Sequence, residues 1–425
     1  MARVAHLLTW FHTAPRRPRL DAGPQLPWRR VLPMALLGLL VAGLFSGAGA
    51  GLPDEFDATT PFYVGTGQGL GQELRERGVG LPDQLSETGY DGQWFLGQAN
   101  DPLLRTDLHE DTFDAPRYRA VRGLFPAAGW LLAAGQPAAT PYALLVAGML
   151  AFALGSACSA RIVSAYGRSP WWGLLFAAVP GSLFGVYYGT AEPLALALAM
   201  LGVTLTLDRR YLWAGVAFAG SALTKESYLA FAVGTALFLV VDAVVRGGTA
   251  KAAARGPRSW LRPAAAVVLP GAISLFAWYA YVHARIPYFP DPHGTFGRFS
   301  APFEGWGRVL GTIARGDYPG AAVLHLPREA VIAASMAVIA AALVLALWLR
   351  QSLLAYLAFG WALFGAIIAE FLLERYTSAN RTLAPSVLAA AVFLVTVHWR
   401  RARDQSREPG EPGEPGEPAV ETVRA

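Results

Sequence analysis

Runs of about twenty apolar residues recur along this chain, and a helix of that length crosses a ~30 Å hydrocarbon core. They lie at roughly 31–51, 138–160, 170–188, 191–207, 211–224, 228–245, 264–284, 328–349, 352–372 and 382–399. Only helices and closed barrels satisfy every backbone polar group within lipid. Barrel strands alternate apolar and polar residues over about ten positions, whereas these runs are unbroken and rich in Ala, Leu and Val. The expected fold is therefore all-α, a polytopic membrane protein with about ten transmembrane helices. Residues 211–224 are short for a full crossing and read as a half-helix or as one arm of a pair with the next segment. The stretch "AVRGLFPAAGWLLAAG" at 120–135 is shorter still as an apolar run, and reads as re-entrant or interfacial.

Composition agrees: 54% of residues are hydrophobic and 15% are charged, against about 25% charged in soluble domains. Cys158 is the single cysteine, so neither a disulfide framework nor a Cys-based metal site is available. The basic residues lie beside the spans, which argues for a lipid bilayer as partner and against nucleic acid.

Their placement also sets an orientation. Residues 1–30 hold six Arg and one Asp, and the stretch 246–263 holds five basic residues and no acid. Arg161, Arg168, "DRR" at 208–210 and "HWRRARDQSR" at 398–407 fall on the same side if ten spans alternate. By the positive-inside rule this side is cytoplasmic, with both termini on it, in a cell membrane. The first span ends in "SGAGAG", which resembles a signal-peptidase site. The basic segment before it is about thirty residues, long for a cleaved leader, so retention is expected. The organisation that follows is a basic N-terminus at 1–30, a transmembrane domain at 31–400 with external loops at 52–137 and 285–327, and a tail at 401–425. The tail repeats Glu-Pro-Gly, has almost nothing to bury, and reads as disordered.

This topology gathers the unusual polar residues on the outer face. Residues 52–122 carry thirteen acids and six Arg. Loops this long usually carry function. Within them, "GYDGQWFLGQANDP" at 89–102 places Asp91 and Gln98 seven apart, on one face of a helix, with Trp94 and Phe95 beside them. Two readings of Asp91 stand: a helix N-cap, or a carboxylate aimed into a cavity as a general base. In the second, Tyr90 and Trp94 form an apolar floor and Gln98 a polar wall.

Other outer segments supply charge. Arg117, Arg119 and Arg122 lie in "FDAPRYRAVRGLFP", where one Arg suits a phosphate while another anchors the chain. Lys225 and Glu226 in "LTKES" sit between two short apolar segments, as a local ion pair or at a phosphate. Glu370, Glu374, Arg375 and Arg381 flank the last two spans, where outer-face Arg wants an anionic partner. Tyr187, Tyr188 and Glu192 in "YYGTAEP" face the same side, although a Glu at a helix start is also ordinary dipole chemistry. His293, with Asp291, lies in the second loop as an ordinary loop histidine or an acid–base group. There is no Walker loop, no GxGxxG between strand and helix, and no HExxH.

A basic N-terminus and first span, a long outer loop with Tyr-Asp-Gly and aromatics, an Arg-Tyr-Arg segment and a polar "ERYTSANR" loop before the final span form a pattern. It resembles the GT-C class of membrane glycosyltransferases, and within it the bacterial relatives of PIG-V-like mannosyltransferases. "YDGQWF" and the following Asp101-Pro102 carry most of the likeness. The resemblance implies a polyprenyl-phosphate sugar donor, an envelope glycan, lipid or protein acceptor, and transfer of a sugar such as a mannose-type hexose at the outer face. It also implies Asp91 as catalytic base, with Arg117, Arg119, Lys225, Arg375 and Arg381 near the donor phosphate. The chain lacks the Asp-X-Asp of many class members. This leaves open both a site without metal and a divalent cation held by Asp91 and Asp101. The competing reading is a transporter or flippase of a lipid-linked sugar, which would show internal repeats and charges near the bilayer midplane.

Overall fold

The computed structural model describes residues 25–405 apart from 53–54, 84, 86, 88, 248–257, 287–299, 317–327, 349–351, 369–372 and 374–375. Among the described residues every regular element is helical. Six helical segments are long and apolar enough to cross a bilayer: Trp28–Gly49, Pro137–Ala165, Glu226–Val244, Leu261–Arg285, Glu329–Ala346 and Ser378–Thr396. Three shorter apolar helices, Glu192–Leu207, Tyr211–Thr224 and Leu353–Ala366, fall where further spans are expected. The run expected at 170–188 is a chain of short pieces, Pro170–Leu174, Leu175–Ala178 and Pro180–Tyr187, because Val179 is extended ahead of Pro180.

The helices used below are α1 (Trp28–Gly49), α2 (Gly92–Ala99), α3 (Pro116–Ala120), α4 (Leu124–Leu132), α5 (Thr140–Ala165), α6 (Pro180–Tyr187), α7 (Glu192–Leu207), α8 (Tyr211–Thr224), α9 (Leu229–Gly247), α10 (Arg258–Arg285), α11 (Glu304–Ala314), α12 (Arg328–Trp348), α13 (Leu353–Ala366) and α14 (Tyr376–Gln405). α1 packs on α5, α5 on α7, α7 on α8, and α8 on α10. A second group, α12, α13 and α14, joins the first where α14 meets α6 and where α9 meets α13.

α1 shows why these sequences pack as they do. After Val31 and Met34 its buried side is small: Gly38, Ala42 and Ser46. A side chain at Gly38 would come within 2.5 Å of Ser156 Oγ on α5. Small residues let helix backbones approach closely where apolar surface alone gives no preference between lipid and protein. Its other side, Leu32, Leu36, Leu40 and Leu44, is more than half exposed at a spacing of four residues, as a lipid-facing stripe should be.

The segment between α1 and α5 forms a folded cap. Phe62, Leu70, Leu74, Leu96, Phe113 and Phe125 are nearly or fully buried and pack against α5 through Leu144 and Leu145. Trp94 and Phe95 belong to this core, with Trp94 on Phe113 at 5.0 Å and Phe95 edge-on to Phe125 at 5.7 Å. The segment 120–135 contributes α4, which rests on α2 and α5. At the other end of the chain, α14 continues to Gln405, five residues into the stretch read as tail. In the second loop, 285–327, α11 is described and is amphipathic, with Trp306 Nε1 donating to the Gly365 carbonyl at 2.7 Å.

Candidate functional site

The loop that carries Asp91 is shaped by two glycines. Gly89 has φ of +68°, a left-handed turn that glycine adopts without strain. The Tyr90 N–H then donates to the Tyr63 carbonyl at 3.0 Å. Gly92 opens α2 against other backbone: a Cβ there would lie 2.5 Å from the Tyr188 carbonyl oxygen and 3.0 Å from Phe62 Cα. Asp91 stands at the N-cap position of α2, but its carboxylate makes no capping hydrogen bond. It bridges two guanidinium groups instead. Arg119 Nη1 donates to Oδ1 and Arg381 Nη1 to Oδ2, both at 3.0 Å.

The network extends from there. Arg381 is 5% exposed; it also donates to the Tyr90 hydroxyl at 3.0 Å and, through Nε and Nη2, to Glu192 Oε1 at 3.0 and 2.9 Å. Lys225 Nζ reaches the same oxygen at 2.9 Å, and Thr190 Oγ1 donates to Oε2 at 2.5 Å. Glu192 opens α7, where a carboxylate is favoured by the helix dipole. The chain is extended at Lys225 between α8 and a short turn. That break leaves Lys225 on Glu192 while Glu226 accepts two bonds from Arg122, at 3.0 and 3.1 Å. Arg122 also donates to the Tyr118 hydroxyl. Arg119 closes the group on Asp114 at 2.8 and 2.9 Å, with its guanidinium 5.4 Å from the Trp94 ring.

A cavity of about 360 Å³ opens onto this network. Its polar lining residues include Asp91, Tyr118, Arg122, Glu192, Lys225, Glu226, Ser378 and Thr382. Tyr228, Phe364, Ile368 and Pro385 add apolar surface to the lining, and Arg381 lines the cavity as well.

Burial raises the Asp91 carboxyl, but attraction from Arg381, Arg119 and Arg122 outweighs it and holds the group well below the usual carboxylate range. Burial lowers the Arg119 guanidinium, and Asp91 and Asp114 more than offset this. Arg122 is likewise held above its ordinary value, with Glu226 overcoming desolvation. Four cations (Arg119, Arg122, Lys225, Arg381) meet four carboxylates (Asp91, Asp114, Glu192, Glu226), so the resting network is formally neutral.

Of the residues singled out in the sequence, Asp91, Tyr90, Arg119, Glu192, Lys225, Glu226 and Arg381 meet in this network. Several others do not join it. Arg117 donates to the Ile286 carbonyl at 2.9 Å and anchors the end of α10. Gln98 is turned into the cap, its amide donating to the Ala120 carbonyl at 2.9 Å. Trp94 is in the core of the cap rather than on the cavity floor, and reaches the network only through the Arg119 face. The Tyr188 ring packs at a tilt against Tyr90 at 4.9 Å and edge-on to Tyr187 at 4.8 Å, so Tyr188 supports Tyr90 and Tyr187 supports Tyr188. Asp101 does not turn to Asp91. Its oxygens accept from the Arg105 and Thr106 N–H groups at 2.9 and 2.8 Å and from the Thr106 hydroxyl at 2.8 Å. Arg375, Glu370 and His293 lie outside the described residues.

Tyr118 lines the cavity and was not among the expected residues, and of the three Arg in its segment it is Arg122 that lines the cavity with it. The available signal was spacing: Arg119 and Arg122 are three apart and can point the same way from a helical turn, whereas Arg117 and Arg119 cannot. Tyr228, Ser378 and Thr382 carried no signal.

Comparison of the chain with protein-family models, curated proteins and solved structures gives no match. The fold and the site define the class as far as it goes: an all-helical chain with several bilayer-length helices and an ion-paired cavity beside a folded cap.

Proposed function

We propose that the protein transfers a sugar from a polyprenyl-phosphate donor to an acceptor hydroxyl of an envelope glycan, lipid or protein, at the outer face of the cell membrane, as its likeness to the GT-C class implies. The observation that carries this reading is the Asp91 carboxylate held between Arg119 and Arg381 at a cavity lined by both polar and apolar side chains. The apolar lining residues suit the first units of a polyprenyl chain. Arg122, Lys225 and Arg381 suit its phosphate, since buried or partly buried cations stabilise charge that develops on a leaving group.

A carboxylate paired with two guanidinium groups is a weak base. A donor phosphate that draws Arg381 or Arg119 to itself restores the basicity of Asp91. The acceptor oxygen then bonds to the anomeric carbon of the sugar while the bond from that carbon to the phosphate oxygen breaks. The acceptor proton passes to Asp91, and the lipid phosphate leaves with the bonding pair. Holding both reactants in a water-poor cavity supplies the alignment.

The test is transfer in membranes supplied with radiolabelled polyprenyl-phosphate sugar. Asp91→Asn should lower product formation by about 10²-fold or more, the usual size of a general-base contribution, while donor binding persists. Full activity in Asp91→Asn would end this reading. Translocation of the lipid-linked sugar without product would favour the flippase reading instead.

A further inference from the structure

The helix that carries Glu192 at its start bounds a second cavity at its end. α7 has sixteen residues, so its ends lie about 24 Å apart. At the far end a separate cavity of about 360 Å³ is lined by Trp28, Arg161, Leu205, Asp208 and Arg210. It shares no lining residue with the Asp91 cavity.

Arg161 is 5% exposed and held on three sides. Its Nε donates to Gln25 Oε1 at 2.8 Å, its Nη2 donates to Asp208 at 2.9 Å, and its guanidinium lies 4.3 Å from the Trp28 ring. The Gln25 amide in turn donates to the Thr204 carbonyl at 3.0 Å, which pins the start of α1 to the end of α7. Two of the five guanidinium N–H groups are thus used among the described residues, and Nη1 is left over. Arg210 is exposed, and its side chain makes no hydrogen bond or ion pair among the described residues. The lining therefore sets two cations against one carboxylate, where the Asp91 network is balanced.

Trp28 also heads the exposed stripe of α1, followed at intervals of four by Leu32, Leu36, Leu40 and Leu44. One residue thus joins a cationic cavity to an apolar track along the bilayer-length helix. Arg suits phosphate oxygens in paired contacts, and Trp is favoured at the level of lipid headgroups.

We propose that this cavity binds the phosphate-ester headgroup of an acidic phospholipid, with the phosphate between Arg161 and Arg210 and an acyl chain along the Trp28–Leu44 stripe. The proposal stands apart from the glycosyl-transfer reading and draws on none of its residues beyond the shared helix.

The experiment uses the full-length protein in a zwitterionic bilayer of phosphatidylcholine. Phosphatidylglycerol, further phosphatidylcholine and soluble glycerol phosphate are titrated at one ionic strength, and retained ligand is counted by native mass spectrometry. Phosphatidylglycerol should be retained and the other two not. Arg210→Gln, at an exposed and unpaired side chain, should fold normally and weaken retention about fivefold, the worth of one cation near an anionic headgroup. Asp91→Asn should retain the lipid like the wild type. Unchanged retention in Arg210→Gln would overturn the proposal, and glycerol phosphate held as well as the lipid would overturn its lipid half.

Discussion

Asp91 shows how little a residue's type says about its strength. The same Asp at a helix start could cap free N–H groups or stand free. Here two Arg side chains hold it as an anion and make it a weak base until one of them is drawn away. His109 is the opposite case. It is 1% exposed, and neither ring nitrogen has a hydrogen-bond partner among the described residues. It packs on Phe113 at 4.6 Å, with Asp101 4.0 Å away. Burial is the main cause that lowers its imidazole to about 4; Asp101 opposes this and Arg77 adds to it. An unfolded chain takes up that proton near pH 6.5 and the native cap only near 4. Native stability is therefore complete above about 6.5 and falls as the pH drops toward 4, by roughly 3 kcal/mol at most. Melting curves between pH 7 and 4.5 should show this decline in the wild type, and a shallower one in His109→Leu.

At the level of elements, close backbone contact sets where the charged groups stand. Gly49 at the end of α1 and Gly92 at the start of α2 both lie against the 187–188 backbone: a Cβ would meet the Tyr187 oxygen at 2.4 Å from the first and the Tyr188 oxygen at 2.5 Å from the second. A carbonyl cannot rotate aside as a side chain does, so Gly92→Ala must push α2 outward. Overpacking of this kind destabilises by about 1–3 kcal/mol, and it moves Asp91 relative to Arg381. Gly92→Ala should lower the melting temperature and sugar transfer together. Loss of neither, measured on one preparation, would mean that the contact relaxes without disturbing the site.

For the molecule as a whole, α7 and α8 set the distance between two polar regions. The Asp91 network gathers the start of α7 and the end of α8, while the Arg161 cavity gathers the end of α7 and the chain just before α8. Two ends of one antiparallel pair should face opposite sides of a bilayer. In a Cys158→Ala background, an impermeant thiol reagent should label Thr66→Cys in intact cells and Arg209→Cys only after permeabilisation. Both positions are exposed, so labelling of the two from one side would contradict the arrangement.

The helical character of the chain and most of its long helices could be read directly, because a helix in lipid satisfies its own backbone and its apolar run is a local property. The break at Val179–Pro180 was readable in principle from the proline, although the apolar run around it hid it. The start of α2 at Asp91 was legible for the same local reason, whereas the left-handed turn at Gly89 was not read from the sequence. The partners of Asp91 were another matter: Arg381 is 290 positions away. Arg117 and Arg122 sit in one short segment, yet one anchors to the Ile286 carbonyl and the other faces the cavity. Which cation meets which carboxylate depends on how five separate segments pack, and a few ångströms of helix placement decide it. Charge type and apolar run length are written residue by residue along the chain, whereas pairing exists only once helices distant in sequence have come together.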